Sequence, residues 1–218
     1  MRHVVWDWNG TLLDDLPLVV DAVNAVLDEA GVPRIDADGY RAHYTRPVHT
    51  FYEQLYGRPI DEAEFARLDH VFHVAYDAGI AERARLAADA TDALGLVAEA
   101  GRSQSLLSMY RHAQLVPLVR RMALHGHFTH VQGLTGPGGG HKQPHLEAHL
   151  RQVADHAGND PSRVLVVGDA LDDAHAATAV GARCVLVASG SHPVVELEQA
   201  GVPVASSLLE ALGLGGVT

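Results

Sequence analysis

A chain of 218 residues, 47% hydrophobic and 20% charged, has the composition of an ordinary globular protein, which excludes disorder, and the length of one domain with an insertion. A formal net charge of −11 excludes a broad polyanion-binding face, so no nucleic-acid partner is expected; a small phosphorylated ligand stays admissible, because a bound cation can invert the local field. The single cysteine, Cys184, reads as inert strand core, no apolar run is long enough to span a bilayer, and the short N-terminal apolar stretch is no secretory signal, so a cytoplasmic protein without membrane contact is expected.

The first apolar run, His3 to Trp6, predicts a buried strand that ends at a carboxylate, Asp7. Asn9-Gly10 then turns the chain, since both residues tolerate positive φ. Asp7 is thereby held at the carboxyl end of a strand, the edge where open α/β sheets bind ligands. From there to about residue 86 the pattern is helical. Leu16, Val19, Val23, Val26, Leu27 and Ala30 form one stripe, with Asp15 as its cap, Pro17 in its first turn and Gly31 at its end. Helical pieces follow at 36–44 and 47–56, and Asp61-Glu62-Ala63-Glu64 resembles a capping box opening a helix striped by Phe65, Leu68, Phe72 and Ala75. Residues 15–86 hold most of the aromatic residues and read as an inserted helical subdomain. The competing reading is that these helices merely cover one face of the sheet.

A strand–helix alternation begins at Asp89. A helix closing at Gly101 leads to Ser103-Gln104-Ser105-Leu106-Leu107-Ser108, a short strand with a hydroxyl at its end. A helix at 115–125 and a strand at Phe128–Val131 come next. The loop from Gln132 to His141 has five glycines and one proline and reads as a mobile connection, with no lysine-serine ending of the nucleotide-cradling kind. Pro144 opens a helix carrying Leu146, Leu150 and Val153. Arg163-Val164-Leu165-Val166-Val167 is the clearest strand, continuously apolar as in parallel sheets covered on both faces, and it runs into Gly168-Asp169. A helix from Asp173 to Val180, a strand at Ala182–Val187, and the segments Pro193–Ala200, Val202–Ala205 and Ser207–Leu212 continue the alternation. The expected architecture is α/β, a doubly wound Rossmann-like parallel sheet with core at 1–14 and 87–218 and an inserted helical cap at 15–86.

Polar groups stand at or near the ends of these strands: Asp7, Ser108, Lys142, and the pair Asp169 and Asp173. Lys142 is the only lysine, against fifteen arginines, and lysine chosen once suggests a compact point charge, though composition bias accounts for it equally well. In this order the set resembles the haloacid dehalogenase-like hydrolase superfamily. Asp7-Trp8-Asn9-Gly10-Thr11 is similar to its first motif, Leu106-Leu107-Ser108 to its second, and Lys142 before a proline-started helix to its third. Gly168-Asp169-Ala170-Leu171-Asp172-Asp173, followed by a helix of small residues, is similar to the fourth. The insertion after the first motif matches the family's helical cap of the first type, the layout of phosphoglycolate-phosphatase-like members.

The resemblance implies that Asp7 accepts a phosphoryl group from a small phosphorylated metabolite. It implies Mg²⁺ held by Asp7, the backbone carbonyl of Asn9, Asp169 and, directly or through water, Asp173. Ser108 would hydrogen-bond a phosphate oxygen, Lys142 would neutralise Asp7 and the phosphate, and Thr11 would brace the turn and complete the substrate-binding set. The assembly expected is a monomer or homodimer. The departure is Asn9. Phosphatases of this family usually carry an aspartate there as acid and base, which an amide cannot be at neutral pH. Slow turnover, a phospholigand-binding protein with little activity, and a metal-independent dehalogenase therefore stay open. A Schiff-base mechanism does not, since residues 15–86 contain no lysine. A receiver-like phosphorylation switch fits less well, because its aspartate follows a later strand. Of the fifteen histidines, His125, His127, His130, His141, His145 and His149 cluster, and His145 and His149 share a predicted helix face; scattered solvated rings are the expectation, a second metal site the alternative.

Overall fold

The computed structural model describes residues 1–45, 47–136 and 140–217. The chain divides into two compact units, Asp14–Arg85 on the one hand and Met1–Leu13 with Leu86–Thr218 on the other.

Among the described residues, the unit Asp14–Arg85 holds four helices: α1 (Leu16–Ala30), α2 (Ala37–His43), α3 (Val48–Tyr56) and α4 (Glu62–Arg83). Its core joins the α1 stripe (Leu16, Val20, Val23, Val26, Leu27) to Tyr40, Phe51, Tyr52 and Leu68. Gly31 ends α1 in the left-handed conformation, φ 65°, at no steric cost. Asp15, expected to cap α1, makes no capping hydrogen bond. Its carboxylate instead accepts from the buried Tyr76 hydroxyl at 2.6 Å, a stronger use of a charge taken out of water. Asp61 does cap α4 by accepting from the Glu64 N–H. The reciprocal half of the box is absent, because the Glu64 carboxylate is drawn to Arg58 in a two-pronged ion pair.

The other unit is a parallel sheet with helices between its strands. In chain order β1 (His3–Trp6) is followed by α5 (Ala90–Glu99), β2 (Ser103–Arg111), α6 (His112–Arg121), β3 (Val131–Leu134), α7 (Gln143–Gln152), α8 (Ala154–Ala157), β4 (Val164–Gly168), α9 (Leu171–Val180), β5 (Arg183–Val187), α10 (Val194–Glu198), β6 (Val204–Ala205) and α11 (Leu208–Leu214). The strand order is β3-β2-β1-β4-β5-β6, with every pairing parallel. This is the doubly wound Rossmann-like arrangement that the alternation predicts. β1 and β4 are buried along their whole length, as continuous apolar runs require. The chain leaves β1 in one direction for β2 and β3, then returns to the opposite side for β4, so the switch point lies between β1 and β4.

Four expectations about elements are corrected. The third strand is Val131–Leu134, not Phe128–Val131, because its partner β2 runs on to Arg111 and offers backbone groups that far. β2 is therefore no short strand ending at Ser108. The helix expected at 115–125 is His112–Arg121, with Pro117 inside it. Of the glycine-rich loop, Gln132–Leu134 is strand, and Pro137–Gly139 lie outside the described residues.

Candidate active site

Register puts the chemistry in one place. Trp6 is aligned with Leu106 on β2 and with Val167 on β4, so Asp7 stands level with Leu107 and Gly168. The Asp7 N–H extends the ladder by donating to the Val167 carbonyl at 2.8 Å. Asp169 leaves β4 one step further on, and Asp173 lies in the first turn of α9. One carboxylate oxygen from each of Asp7, Asp169 and Asp173 falls within a mutual 4.8 Å, and all three residues are buried. Among the described residues this is the one group of three or more acidic, histidine or cysteine side chains so arranged. The clustered histidines form no such group, and His149 is buried against Ser105.

Close backbone approach makes this acidic cluster sterically feasible. Gly10 adopts φ 68°, and a Cβ there would overlap the Asp169 carboxylate. A Cβ on Gly168 would overlap the Asp173 carboxylate, and one on Gly190, in the loop after β5, would overlap Asp169 again. Three glycines thus leave the space that two carboxylates fill. Ser189, beside Gly190, donates its hydroxyl to the Gly10 carbonyl at 2.6 Å and ties this loop to the turn after β1.

Lys142 is the cation of the site. It is buried at the N-terminus of α7, and its Nζ donates to Asp7 Oδ1 and, at 2.5 Å, to Asp173 Oδ1. Its backbone N–H donates to the Asp172 carboxylate at 2.8 Å, which fixes where the side chain starts. Asp173 Oδ2 accepts from the Ala170 N–H at 3.1 Å. Burial pushes the Asp7 carboxyl up to about 7; the Lys142 ammonium draws it down, and the Asp173 charge pushes it up. Burial also works against the charge on Lys142, but Asp173 and Asp7 outweigh it and hold the ammonium above its ordinary range. Among the described residues, one ammonium bonds to two of the three clustered carboxylates, so the cluster is short of positive charge.

Ser108 sits where β2 is irregular. Leu107 pairs with Gln132 but Arg111 with Leu134, so the intervening residues of β2 bulge. The Ser108 hydroxyl accepts from the Tyr110 N–H at 3.0 Å and donates towards Asn9 Oδ1 at 3.5 Å. Gly133 lies opposite this bulge, where a Cβ would overlap the Tyr110 carbonyl and the His112 backbone. Thr11 reaches past its own turn, with its hydroxyl 3.4 Å from Asp169 Oδ1. Asp7, Asn9, Thr11, Ser108, Lys142, Asp169 and Asp173 are thus all gathered at one end of the sheet. Sequence reasoning passed over Asp172, Ser189 and Gly190. Asp172 lay inside a quoted motif and was available to it; Ser189 and Gly190 follow an ordinary buried strand, with no local signal.

Comparison with known proteins bears on this geometry. The family model described as haloacid dehalogenase-like hydrolase matches residues 1–181. The chain is 27% identical over 190 residues to a phosphoglycolate phosphatase of Mesorhizobium japonicum, covering 86% of this chain and 82% of that one. It is 26% identical over 200 residues to a phosphoglycolate phosphatase of Chromobacterium violaceum, covering 87% and 86%. A haloacid dehalogenase-like hydrolase from Streptococcus pneumoniae has the same fold, with a TM-score of 0.80 at 20% identity over 98% of this chain and 97% of that one. With the family model covering all four motifs and their elements, the chain belongs to the haloacid dehalogenase-like hydrolases.

Proposed function

We propose that the protein is a Mg²⁺-dependent phosphoric monoester hydrolase, acting on a small phosphorylated metabolite through an aspartyl-phosphate at Asp7. The observation that carries this is the charge balance of the pocket: three buried carboxylates against one lysine, at the switch point of the sheet. The residues fit a hard divalent cation, since they offer carboxylate oxygens and lack charge to balance them. Asp7, Asp169 and the Asn9 carbonyl would hold Mg²⁺, with Asp173 in support, and the ion would supply charge stabilisation for the transferring phosphoryl group. The same imbalance favours this reading over a metal-independent dehalogenase. The relatives named phosphoglycolate phosphatase support a small phosphate ester as substrate.

In the first step an oxygen of Asp7 forms a bond to phosphorus as the ester P–O bond breaks, and the leaving oxygen departs with the bonding pair. Lys142, already on Asp7 Oδ1, neutralises charge on the nucleophile and then on the phosphoryl oxygens. The Ser108 hydroxyl would turn from Asn9 to a phosphoryl oxygen. In the second step water attacks the phosphorus of the aspartyl-phosphate and returns Asp7. Residues 14–85 would act as the cap that selects the substrate. Asn9 supplies neither a proton to the leaving oxygen nor a base to the water. That single residue favours a second reading, a phospholigand-binding protein with little turnover.

A screen of phosphorylated metabolites and aryl phosphates, with and without Mg²⁺, tests the proposal. Mg²⁺-dependent release of phosphate, lost in Asp7→Asn, is expected. Hydrolysis that survives Asp7→Asn, or that ignores chelators, would refute it.

A further inference from the structure

Beneath the site, on one face of the sheet, runs a string of buried and half-buried polar side chains that the chemistry above does not use. His3 on β1 is wholly buried, with Nδ1 2.7 Å from Ser103 Oγ and Nε2 2.7 Å from Ser105 Oγ. Ser105 Oγ lies 2.7 Å from Nε2 of His149 on α7, which is also wholly buried. His149 Nδ1 lies 2.9 Å from Gln132 Oε1 on β3. The string therefore ties β1, β2 and β3 to one helix, α7.

Its protons run one way. Gln132 Oε1 only accepts, so His149 Nδ1 donates and its Nε2 accepts. Ser105 then donates to His149 and accepts from His3 Nε2–H, which leaves His3 Nδ1 to accept from Ser103. Each internal group has its partner in this arrangement, which holds for a neutral His149. A positive charge there would be opposed by burial first, then by His130, His3 and Lys142.

Apolar contacts let a helix slide by fractions of an ångström, whereas directional hydrogen bonds to two strands do not. Lys142 precedes His149 by seven residues, about two helical turns, and so lies on the same face of α7. Leu146, between them, packs in the apolar core of the sheet. His149 is thus the directional contact between this face and the sheet, and Lys142 is the group that face delivers to Asp7 and Asp173.

We propose that His149 is a positioning residue for Lys142: bonded to Ser105 and Gln132, it fixes the height and rotation of α7, and hence where the lysine ammonium meets Asp7 and Asp173. The kinetic consequence rests on the function proposed above; the structural one does not.

Lys142 is the only lysine in the sequence, so labelling with ¹⁵N-lysine gives one side-chain resonance that reports this ammonium alone. In the natural protein its protons should exchange slowly, being buried and bonded. In His149→Leu the resonance should move and exchange should accelerate by about tenfold or more, and His149→Gln, which keeps an acceptor for Ser105, should restore much of the natural signal. Ser105→Ala removes one oxygen from the string and should act in the same direction, which decides the matter if His149→Leu does not fold. On p-nitrophenyl phosphate, kcat should fall by roughly tenfold with KM nearly constant, as for a misplaced catalytic group. A lysine resonance unchanged in folded His149→Leu or Ser105→Ala would overturn the proposal, as would a His149→Gln variant no better than His149→Leu. A natural protein that splits no phosphate ester would sink the proposed function, while the resonance would still decide the role of His149.

Discussion

On the proposed mechanism, Asn9 is the residue that limits turnover. Asparagine and aspartate are nearly the same shape, so Asn9→Asp should keep the turn at Gly10 and the backbone carbonyl aimed as it is. What it adds is an ionisable oxygen beside Ser108, whose hydroxyl already reaches the Asn9 side chain. General acid–base help is typically worth ~10²–10⁴ in rate, so Asn9→Asp should raise hydrolysis of alkyl phosphates by roughly 10²-fold. Aryl and acyl phosphates, whose leaving groups need little protonation, should gain less in the first step. A natural protein already fast on alkyl phosphates would show that another group supplies the proton. Asp7, Ser108 and Asp169 could be singled out in the sequence because each follows an apolar run or its closing glycine, and Asn9 because it precedes Gly10, whereas Lys142 and Asp173 have no such neighbours and were carried by the order of the motifs. Ser189 and Gly190 were not legible: their importance is a matter of distance to Gly10 and Asp169, created only when β5 lies beside β4.

At the scale of elements, α7 and the three strands beneath it carry a pH dependence. Burial, and then the neighbouring His156, hold His3 at about 4, below the ordinary histidine value of 6.5. Burial, and then His130, His3 and Lys142, hold His149 at about 3. A histidine lowered in the folded state is neutral there while the unfolded chain takes up a proton. Its contribution is thus complete above pH 6.5 and is lost as pH falls towards the folded value. Between pH 6.5 and 5 each ring should cost about 2 kcal/mol. Asp7, raised in the folded state, works in the opposite sense over the same range, so both chains of the comparison carry Asp7→Asn, which removes that contribution. Urea midpoints measured from pH 7 to 5 should therefore fall further for Asp7→Asn than for Asp7→Asn combined with His149→Leu, by about 2 kcal/mol in unfolding free energy. Parallel curves would refute the assignment. Periodicity placed most helices and the β4 and β5 strands within a few residues. It misplaced β3, since Phe128–Val131 and Val131–Leu134 are similarly apolar and only pairing with the long β2 decides between them. It also assigned Asp15 to a cap, because the Tyr76 hydroxyl that claims it lies far along the chain.

For the molecule as a whole, sheet order explains why residues from 7 to 173 meet: β1 and β4 flank the switch point, and the turns leaving them open onto the same edge. The division at Leu13/Asp14 and Arg85/Leu86 leaves the whole acidic cluster in the unit that contains the sheet. No helix among the described residues is long and apolar enough to cross a membrane. The alternation of strands and helices made this architecture readable, whereas the substrate is not written in any single motif. The central claim, that Asp7 carries a phosphoryl group beside Mg²⁺, is tested most directly by calorimetry with beryllofluoride, which mimics an aspartyl-phosphate whether or not hydrolysis is fast. Beryllofluoride should bind the natural protein in the presence of Mg²⁺, bind far more weakly in its absence, and give no heat with Asp7→Ala. Equal heats in Asp7→Ala, or binding indifferent to Mg²⁺, would contradict the account.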